Sequence, residues 1–234
     1  MFDLGTLLRV PYVETEMGFG LSPDGGRIAF SWNPAGSWEI FEGSLRDRLK
    51  PESLTHGPGG KFHPRYSPDG SRLAYTVDFD GSERYHLVVR NLADGREIDL
   101  TPGGDGSLQA FFAWSPDSRQ LAFISDRNGC FDIYLTAATG GPARLVFDSG
   151  YPAWQVYWSP DGKWLAVVAE GDGQDYATFI VPPDGGTARR IGDGNDPIHA
   201  RDAAWSPDST RLAFSSNVSG HFQIGIYTLC DGRI

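Results

Sequence analysis

The chain has 234 residues, 40% of them hydrophobic and 13% aromatic, so it can bury a core and is not compositionally disordered. Its formal net charge of -10 disfavours nucleic acid and anionic membranes as partners, because both recruit Lys and Arg. A neutral or cationic peptide or protein suits this charge better.

The N-terminal segment, MFDLGTLLRVPYVETEMG, lacks a basic region followed by a long apolar stretch. No run of about 18 apolar residues occurs anywhere in the sequence. We therefore predict a soluble, cytoplasmic protein that does not bind membranes. Leu8 precedes Pro23 by fifteen residues, as Leu145 of a later outer strand precedes Pro160, so residues 6–10 are predicted to form an outer strand too.

From residue 18 onwards the chain repeats one pattern five times: an apolar residue, a Ser-Pro-Asp turn, an apolar strand, a glycine-bearing hairpin and another strand. The turn prolines are spaced by 45, 48, 44 and 47 residues, a period that fits one four-stranded propeller blade. They are Pro23, Pro68, Pro116, Pro160 and Pro207. We predict that residues 1–234 form a single all-β domain, a β-propeller.

Each repeat assigns the same roles to its residues. The large residue two positions before the proline is predicted to pack between neighbouring blades. The alanine six positions after the proline is predicted to be small so that blades approach closely, in a strand covered on both faces. The turn aspartates are interpreted as structural, because one occurs in every copy.

The fifth repeat ends where its fourth strand should begin. Residues 6–10 are predicted to supply that strand and close a five-bladed ring, which removes exposed sheet edges. The alternative is a fragment of a larger propeller with about six to eight blades.

The repeated W-S-P-D-G-x-x-L-A-F followed by S-D-R-x-G-x-x-D-I-Y resembles the propeller repeats of two related groups, over about residues 18–230. One is the TolB-like propellers. The other is the N-terminal propeller of the prolyl-oligopeptidase family of serine peptidases, including dipeptidyl and acylaminoacyl peptidases. The opening LLRVPYVETEMGFGLSPDGGRIAFSWN is more similar to the start of a peptidase propeller.

The resemblance to the peptidases implies a non-catalytic propeller that gates or docks peptides for a C-terminal α/β-hydrolase domain. That domain is expected to lie outside this chain, because no G-x-S-x-G nucleophile elbow occurs in the sequence. No catalytic residue and no cofactor is predicted. The alternative is a free-standing TolB-like scaffold for protein-protein interaction.

Metal and glycosidase sites have weak support. The five histidines show no ligand spacing, and DFDGSE at 78–83 is interpreted as a hairpin, so no metal is predicted. A glycosidase would need paired carboxylates such as Asp175, Asp196 or Asp202. Most acidic residues belong to turns and loops, which favours the non-catalytic interpretation.

Candidate binding residues lie where the repeats differ, because the packing of the blades does not require one particular residue at these positions. The positions six residues before the turn prolines hold Met17, Phe62, Ala110, Trp154 and Arg201. We predict that Trp154, His199 and Arg201 contact a peptide or protein partner at one mouth of the channel. Asp126 and Arg127 are predicted at a hairpin tip on the same face. The alternative is a set of solvated loop residues with one packed tryptophan.

Overall fold

A computed structural model describes residues 18–46, 50–103, 106–171, 175–192 and 198–234. All regular secondary structure within these residues is β-strand, and they include no helix that could cross a membrane. Each antiparallel sheet is built from one repeat, here called a blade. The backbone divides into two compact units, Met1–Asp105 and Gly106–Ile234.

The first unit holds blades 1 and 2, each a four-stranded sheet in chain order. The strands of blade 1 are β1 (Phe19–Leu21), β2 (Arg27–Trp32), β3 (Glu39–Ser44) and β4 (Glu52–Ser53). Those of blade 2 are β5 (Gly60–Tyr66), β6 (Arg72–Asp78), β7 (His86–Asn91) and β8 (Glu97–Asp99).

The second unit holds blades 3 and 4, which are four-stranded, and blade 5, which has three described strands. Blade 3 has β9 (Leu108–Trp114), β10 (Gln120–Ser125), β11 (Asp132–Ala137) and β12 (Arg144–Phe147). Blade 4 has β13 (Ala153–Trp158), β14 (Leu165–Glu170), β15 (Tyr176–Val181) and β16 (Arg189–Arg190). Blade 5 has β17 (Arg201–Trp205), β18 (Arg211–Ser216) and β19 (Gln223–Thr228).

The Ser-Pro-Asp turn connects the first and second strands of every blade, as predicted. In each copy the serine Oγ donates to the aspartate Oδ1 two residues later, at 2.6 or 2.7 Å. The serine oxygen also accepts a backbone N–H from the start of the second strand, such as that of Gln120 to Ser115 at 2.9 Å. The hydrogen bond from Ser115 is the main cause that lowers the pKa of Asp117. The turn aspartates are structural.

Neighbouring blades within a unit pack sheet face to sheet face. Ala122, Ile133 and Leu135 of blade 3 share one buried cluster with Val156 and Val167 of blade 4. We call the side of a blade that faces the following blade its downstream face, and the side that faces the preceding blade its upstream face. In blades 1, 3 and 4 the repeated alanine lies on the downstream face, where its lack of a long side chain allows close approach, as predicted.

The large residue before each turn lies on the upstream face. Tyr66, Trp158 and Trp205 pack against the preceding blade, as predicted. Trp205 Nε1 also donates to the carbonyl oxygen of Tyr157 in blade 4, at 3.2 Å. For Leu21 the prediction is wrong, because this side chain is half-exposed. Leu21 lies on the side of blade 1 that points away from blade 2.

Blade 5 ends in an edge strand, β19, within the described part of the chain. Residues 6–10, predicted to supply its fourth strand, lie outside the described residues. The closed ring, the number of blades and the assignment of residues 1–234 to one domain therefore stay predictions.

Candidate functional site

One end of blades 3 to 5 carries both the hairpins between second and third strands and the segments that enter the first strands. Asp126 N–H donates to the Ser107 carbonyl oxygen at 3.1 Å, which ties the blade 3 hairpin to the start of β9. Ala153 N–H donates to the Phe131 carbonyl oxygen at 2.8 Å, which ties the same hairpin to the start of blade 4. We call this end the hairpin face. All five predicted contact residues lie on or next to it.

Asp126 and Arg127 hold the blade 3 hairpin together. The Asp126 carboxylate accepts a hydrogen bond from the backbone N–H of Ser107. The backbone carbonyl oxygen of Asp126 accepts one from the Gly129 N–H at 2.6 Å. Gly129 has a φ of 95°, a conformation that favours glycine, which explains why this position repeats. The Arg127 guanidinium lies 4.7 Å from the ring centre of Tyr134. The polar groups of both residues are therefore engaged in contacts within blade 3.

Trp154 lies in β13, at the joint between blades 3 and 4. Its indole Nε1 donates to Glu170 Oε1 at 2.9 Å, which fixes the orientation of the ring. The ring centre lies 6.2 Å from that of Phe131 in the preceding blade, with the planes inclined by 37°. Trp154 is half-buried, so one part of the ring remains accessible at the hairpin face.

His199 and Arg201 lie at the next joint, between blades 4 and 5. His199 Nδ1 is 2.9 Å from Asp175 Oδ1. The Arg201 guanidinium lies 4.5 Å from the ring centre of Phe222 and 5.9 Å from that of Tyr176. Trp154 thus belongs to one joint and the pair His199 and Arg201 to another, so the three form a row along the face and not a single cluster.

In blades 2, 4 and 5 the position six residues before the turn proline has a shared structural role. Trp154 contacts Phe131 of the preceding blade, and Arg201 contacts Tyr176 in the same way. Phe62 packs on Trp38 of blade 1 with ring centres 5.6 Å apart. In these three blades the residue at this variable position therefore contacts an aromatic ring of the preceding blade, a partner that sequence analysis did not identify.

The acidic residues of the glycosidase hypothesis are paired with other groups. Asp175 is paired with His199. Asp202 Oδ2 accepts the Ser215 hydroxyl at 2.5 Å and lies 3.3 Å from Arg201 Nε. Asp196 lies outside the described residues. The described ranges also contain no group of three or more His, Cys, Asp or Glu side chains arranged to hold a metal ion.

Sequence analysis missed an acidic pair in blade 3. Asp132, the first residue of β11, is buried, and its Oδ1 has no hydrogen-bond partner among the described residues. Burial, and then the negative charge of Asp148 after β12, raise the pKa of Asp132 to about 6. Polar residues also open the third strands of blades 1 and 2, as Glu39 and His86. The recurrence of a polar residue at the start of the third strand was the sequence signal that could have identified Asp132.

The raised pKa of Asp132 predicts a pH-dependent stability. A carboxyl with a pKa of about 6 in the folded state and an ordinary value of 3.8 stabilises the fold below pH 3.8, and this contribution is lost as pH rises through 6. Asp132→Asn removes the buried charge. We expect it to raise the free energy of unfolding at pH 8 by about 1 to 2 kcal/mol, with no gain at pH 4, measured by urea unfolding.

Asp117→Asn is the control of opposite sign. The hydrogen bond from Ser115 lowers the pKa of Asp117. This carboxylate therefore stabilises the fold at pH values above the ordinary pKa of aspartate, and the stabilisation is lost as pH falls. The substitution should therefore reduce stability at pH 8. Equal unfolding free energies for wild type and Asp132→Asn across this pH range would contradict the assignment.

Comparison with known proteins supports the repeat assignment. A family model described as the TolB beta propeller domain matches residues 14–174, more than half of the chain. The chain is 36% identical over 117 residues to "Uncharacterized peptidase YuxL" of Bacillus subtilis, covering 47% of this chain and 18% of that protein. It is 34% identical over 146 residues to "Protein TolB homolog" of Chlorobium chlorochromatii, covering 62% of this chain and 31% of that protein. It thus spans less than a third of either relative.

Solved structures agree on the architecture. A Mycobacterium tuberculosis puromycin-hydrolyzing peptidase superposes with a TM-score of 0.72 over 92% of this chain and 36% of its own, at 20% identity. At that identity the likeness concerns the fold alone. With the family match and the four-stranded sheets, it confirms the predicted class: an all-β propeller related to TolB and to peptidase propellers.

Proposed function

Since the chain belongs to the TolB β-propeller domain family, we propose that it is the non-catalytic propeller of a prolyl-oligopeptidase-type serine peptidase. In this role it gates or docks peptides for an α/β-hydrolase domain. The observation that carries the proposal is the 36% identity to a protein named as a peptidase, in a sequence without a G-x-S-x-G string. Location in the cytoplasm and the absence of a cofactor stay predictions.

The hairpin face offers the peptide contacts in this proposal. The Arg201 guanidinium contacts the rings of Phe222 and Tyr176 and lies next to the Asp202 carboxylate, so these contacts restrain it before a ligand arrives. The Arg201 side chain is 41% exposed, and its Nε has no hydrogen-bond partner among the described residues. A guanidinium with free N–H groups binds a carboxylate or a backbone carbonyl.

Phe222 and Trp154 add apolar surface beside this cation. Phe222 is exposed, and the Arg201 guanidinium covers one face of its ring. Trp154 presents a half-buried indole at the neighbouring joint. Rigid aromatic rings next to an arginine are typical of surfaces that bind peptides and proteins. This combination supports recognition of a peptide with a carboxylate and an apolar side chain.

Arg201→Ala tests the proposal. Fluorescence anisotropy with short fluorescein-labelled peptides, each with a free C-terminal carboxylate, measures the dissociation constant. We expect Arg201→Ala to weaken binding at least about tenfold, because a charged hydrogen bond is lost. Arg119→Ala is the matched control, since Arg119 is exposed in a turn at the opposite end of blade 3. Equal effects of the two substitutions, or no peptide binding by wild type, would contradict the proposal.

A free-standing interaction scaffold is the second candidate, favoured by the 34% identity to a TolB homologue. It would use the same face for a folded partner, with an interface of about 800 Å² on each side. It predicts that short peptides do not bind. A folded partner whose binding is lost in Arg201→Ala, with no peptide binding, would favour the scaffold over the peptidase propeller.

A further inference from the structure

The joint between blades 1 and 2 contains a buried lysine that neutralises an acidic residue of β3. Lys61 Nζ lies 3.0 Å from Glu39 Oε1, at the start of β3, and also donates to the Gly57 carbonyl oxygen at 2.8 Å. The Lys61 backbone N–H donates to the carbonyl oxygen of Trp38, the residue before Glu39, at 3.1 Å. One lysine of the following blade thus fixes the start of the strand and balances its buried charge.

The joint between blades 3 and 4 has the same backbone contact without the lysine. Ala153 N–H donates to the carbonyl oxygen of Phe131, the residue before Asp132, at 2.8 Å. Ala153 and Lys61 both lie seven residues before a turn proline, so Ala153 occupies the lysine position with only a methyl group. The acidic residue is retained, because Asp132 begins β11 as Glu39 begins β3. Asp132 therefore lacks the lysine that neutralises Glu39.

A second carboxylate lies opposite Asp132. Ile133 pairs with Phe147, so the next residues outward, Asp132 and Asp148, face each other across β11 and the end of β12. Asp132 is only 3% exposed, and its Oδ1 has no hydrogen-bond partner among the described residues. Asp148 is exposed and opens the pair to solvent. Two facing carboxylates, one of them buried with an unpaired oxygen, form a site that favours a cation.

We propose that Asp132 and Asp148 bind a divalent cation of the Ca²⁺ type, which replaces the missing lysine at the joint between blades 3 and 4. Ca²⁺ takes about six to eight oxygen ligands from carboxylates, backbone carbonyls and water. By repeat position the Ser149 carbonyl corresponds to that of Gly57, since each lies four residues before the lysine position. Two facing carboxylates carry twice the charge that Lys61 balances, which favours a divalent over a monovalent ion.

The cation has a structural role in this proposal. It holds the start of β11 beside Phe131, whose ring centre lies 6.2 Å from that of Trp154 in blade 4. With two acidic side chains the site is expected to be weak, with a dissociation constant of roughly 10⁻⁴ to 10⁻³ M. The proposal is independent of peptide binding, because it concerns the stability of one joint and not a contact with a peptide.

Thermal unfolding of the chain with and without Ca²⁺ tests the proposal. Each protein is compared at about pH 8 in EDTA and in about 10 mM CaCl₂, at equal ionic strength, because salt alone screens exposed charges. We expect Ca²⁺ to raise the Tm of wild type by at least about 3 °C, since an ion that binds only the folded state stabilises it. Isothermal titration calorimetry should give one ion per chain.

Two substitutions should remove the Ca²⁺ response in different ways. Asp132→Asn removes the buried carboxylate, whereas Ala153→Lys restores the lysine that the first joint contains. We expect Ca²⁺ to shift the Tm of each variant by less than about 1 °C. Asp80→Asn is the matched control, because Asp80 is an exposed aspartate in the DFDGSE hairpin of blade 2, and it should keep the wild-type response. Asp132→Asn keeps the test valid if Ala153→Lys does not fold.

Four results would overturn the proposal. A wild-type Tm that Ca²⁺ does not change would show that the two carboxylates share a proton and need no ion. A full response in Asp132→Asn would place the ion elsewhere. Loss of the response in Asp80→Asn would assign the ion to the hairpin of blade 2. A folded Ala153→Lys with the full response would show that the ion does not replace the lysine.

Discussion

Lys61→Met is expected to lower the free energy of unfolding by about 3 to 5 kcal/mol, because it leaves a buried carboxylate without its cation. Lys61 Nζ lies 3.0 Å from Glu39 Oε1 and 2.8 Å from the Gly57 carbonyl oxygen, and both charged side chains are buried. Glu39 Oε2 accepts the Thr55 hydroxyl at 2.6 Å. Urea unfolding followed by tryptophan fluorescence measures the loss.

Arg46→Met is the matched control for this experiment. Arg46 Nη2 also lies 3.0 Å from a carboxylate, that of Asp24, but both side chains are exposed. An exposed ion pair contributes about 1 kcal/mol or less. The double variant Lys61→Met/Glu39→Gln should recover part of the loss, since no unpaired charge then remains buried. Equal losses for Lys61→Met and Arg46→Met would show that burial does not determine the strength of these pairs.

Ile133→Ala is expected to lower the free energy of unfolding by about 2 to 5 kcal/mol, because it opens a cavity at the joint between blades 3 and 4. Ile133 is fully buried in the cluster that joins the two blades. Ile224 occupies the equivalent position of blade 5 and is 74% exposed. Ile224→Ala should therefore cost about 0.5 kcal/mol or less, as a surface substitution does.

Urea unfolding of both isoleucine variants at the same protein concentration measures the two losses. The comparison keeps residue type and repeat position constant and changes only whether the described residues bury the side chain. If Ile224→Ala cost as much as Ile133→Ala under these conditions, the downstream face of blade 5 would be covered within the monomer.

The repeat made the fold predictable to a large extent. The proline spacing located the turns, because a turn with a fixed φ and a Ser-Asp hydrogen bond is specified by local sequence. The role of Ala122 also followed from its place in an apolar strand. Leu21 was assigned wrongly, because the repeat specifies which face a residue occupies but not whether another blade covers that face.

The candidate site was predictable in position but not in chemistry. Trp154, His199 and Arg201 lie at the hairpin face, since strand order alone brings hairpins and first-strand starts to the same end. Their partners, such as Glu170 for Trp154, depend on contacts between strands and blades. The Asp132 and Asp148 pair was missed for the same reason, because the register shift between β11 and β12 is not encoded in any short motif.

The central claim is that the hairpin face is the peptide-binding surface. Its most direct test is peptide titration of the ¹⁵N-labelled chain, followed by two-dimensional NMR. We expect the largest shifts at Tyr176, Arg201, Phe222 and the Trp154 indole, with none at the Ser-Pro-Asp turns around Asp117 and Asp161. Shifts confined to those turns, or no shifts at all, would contradict it.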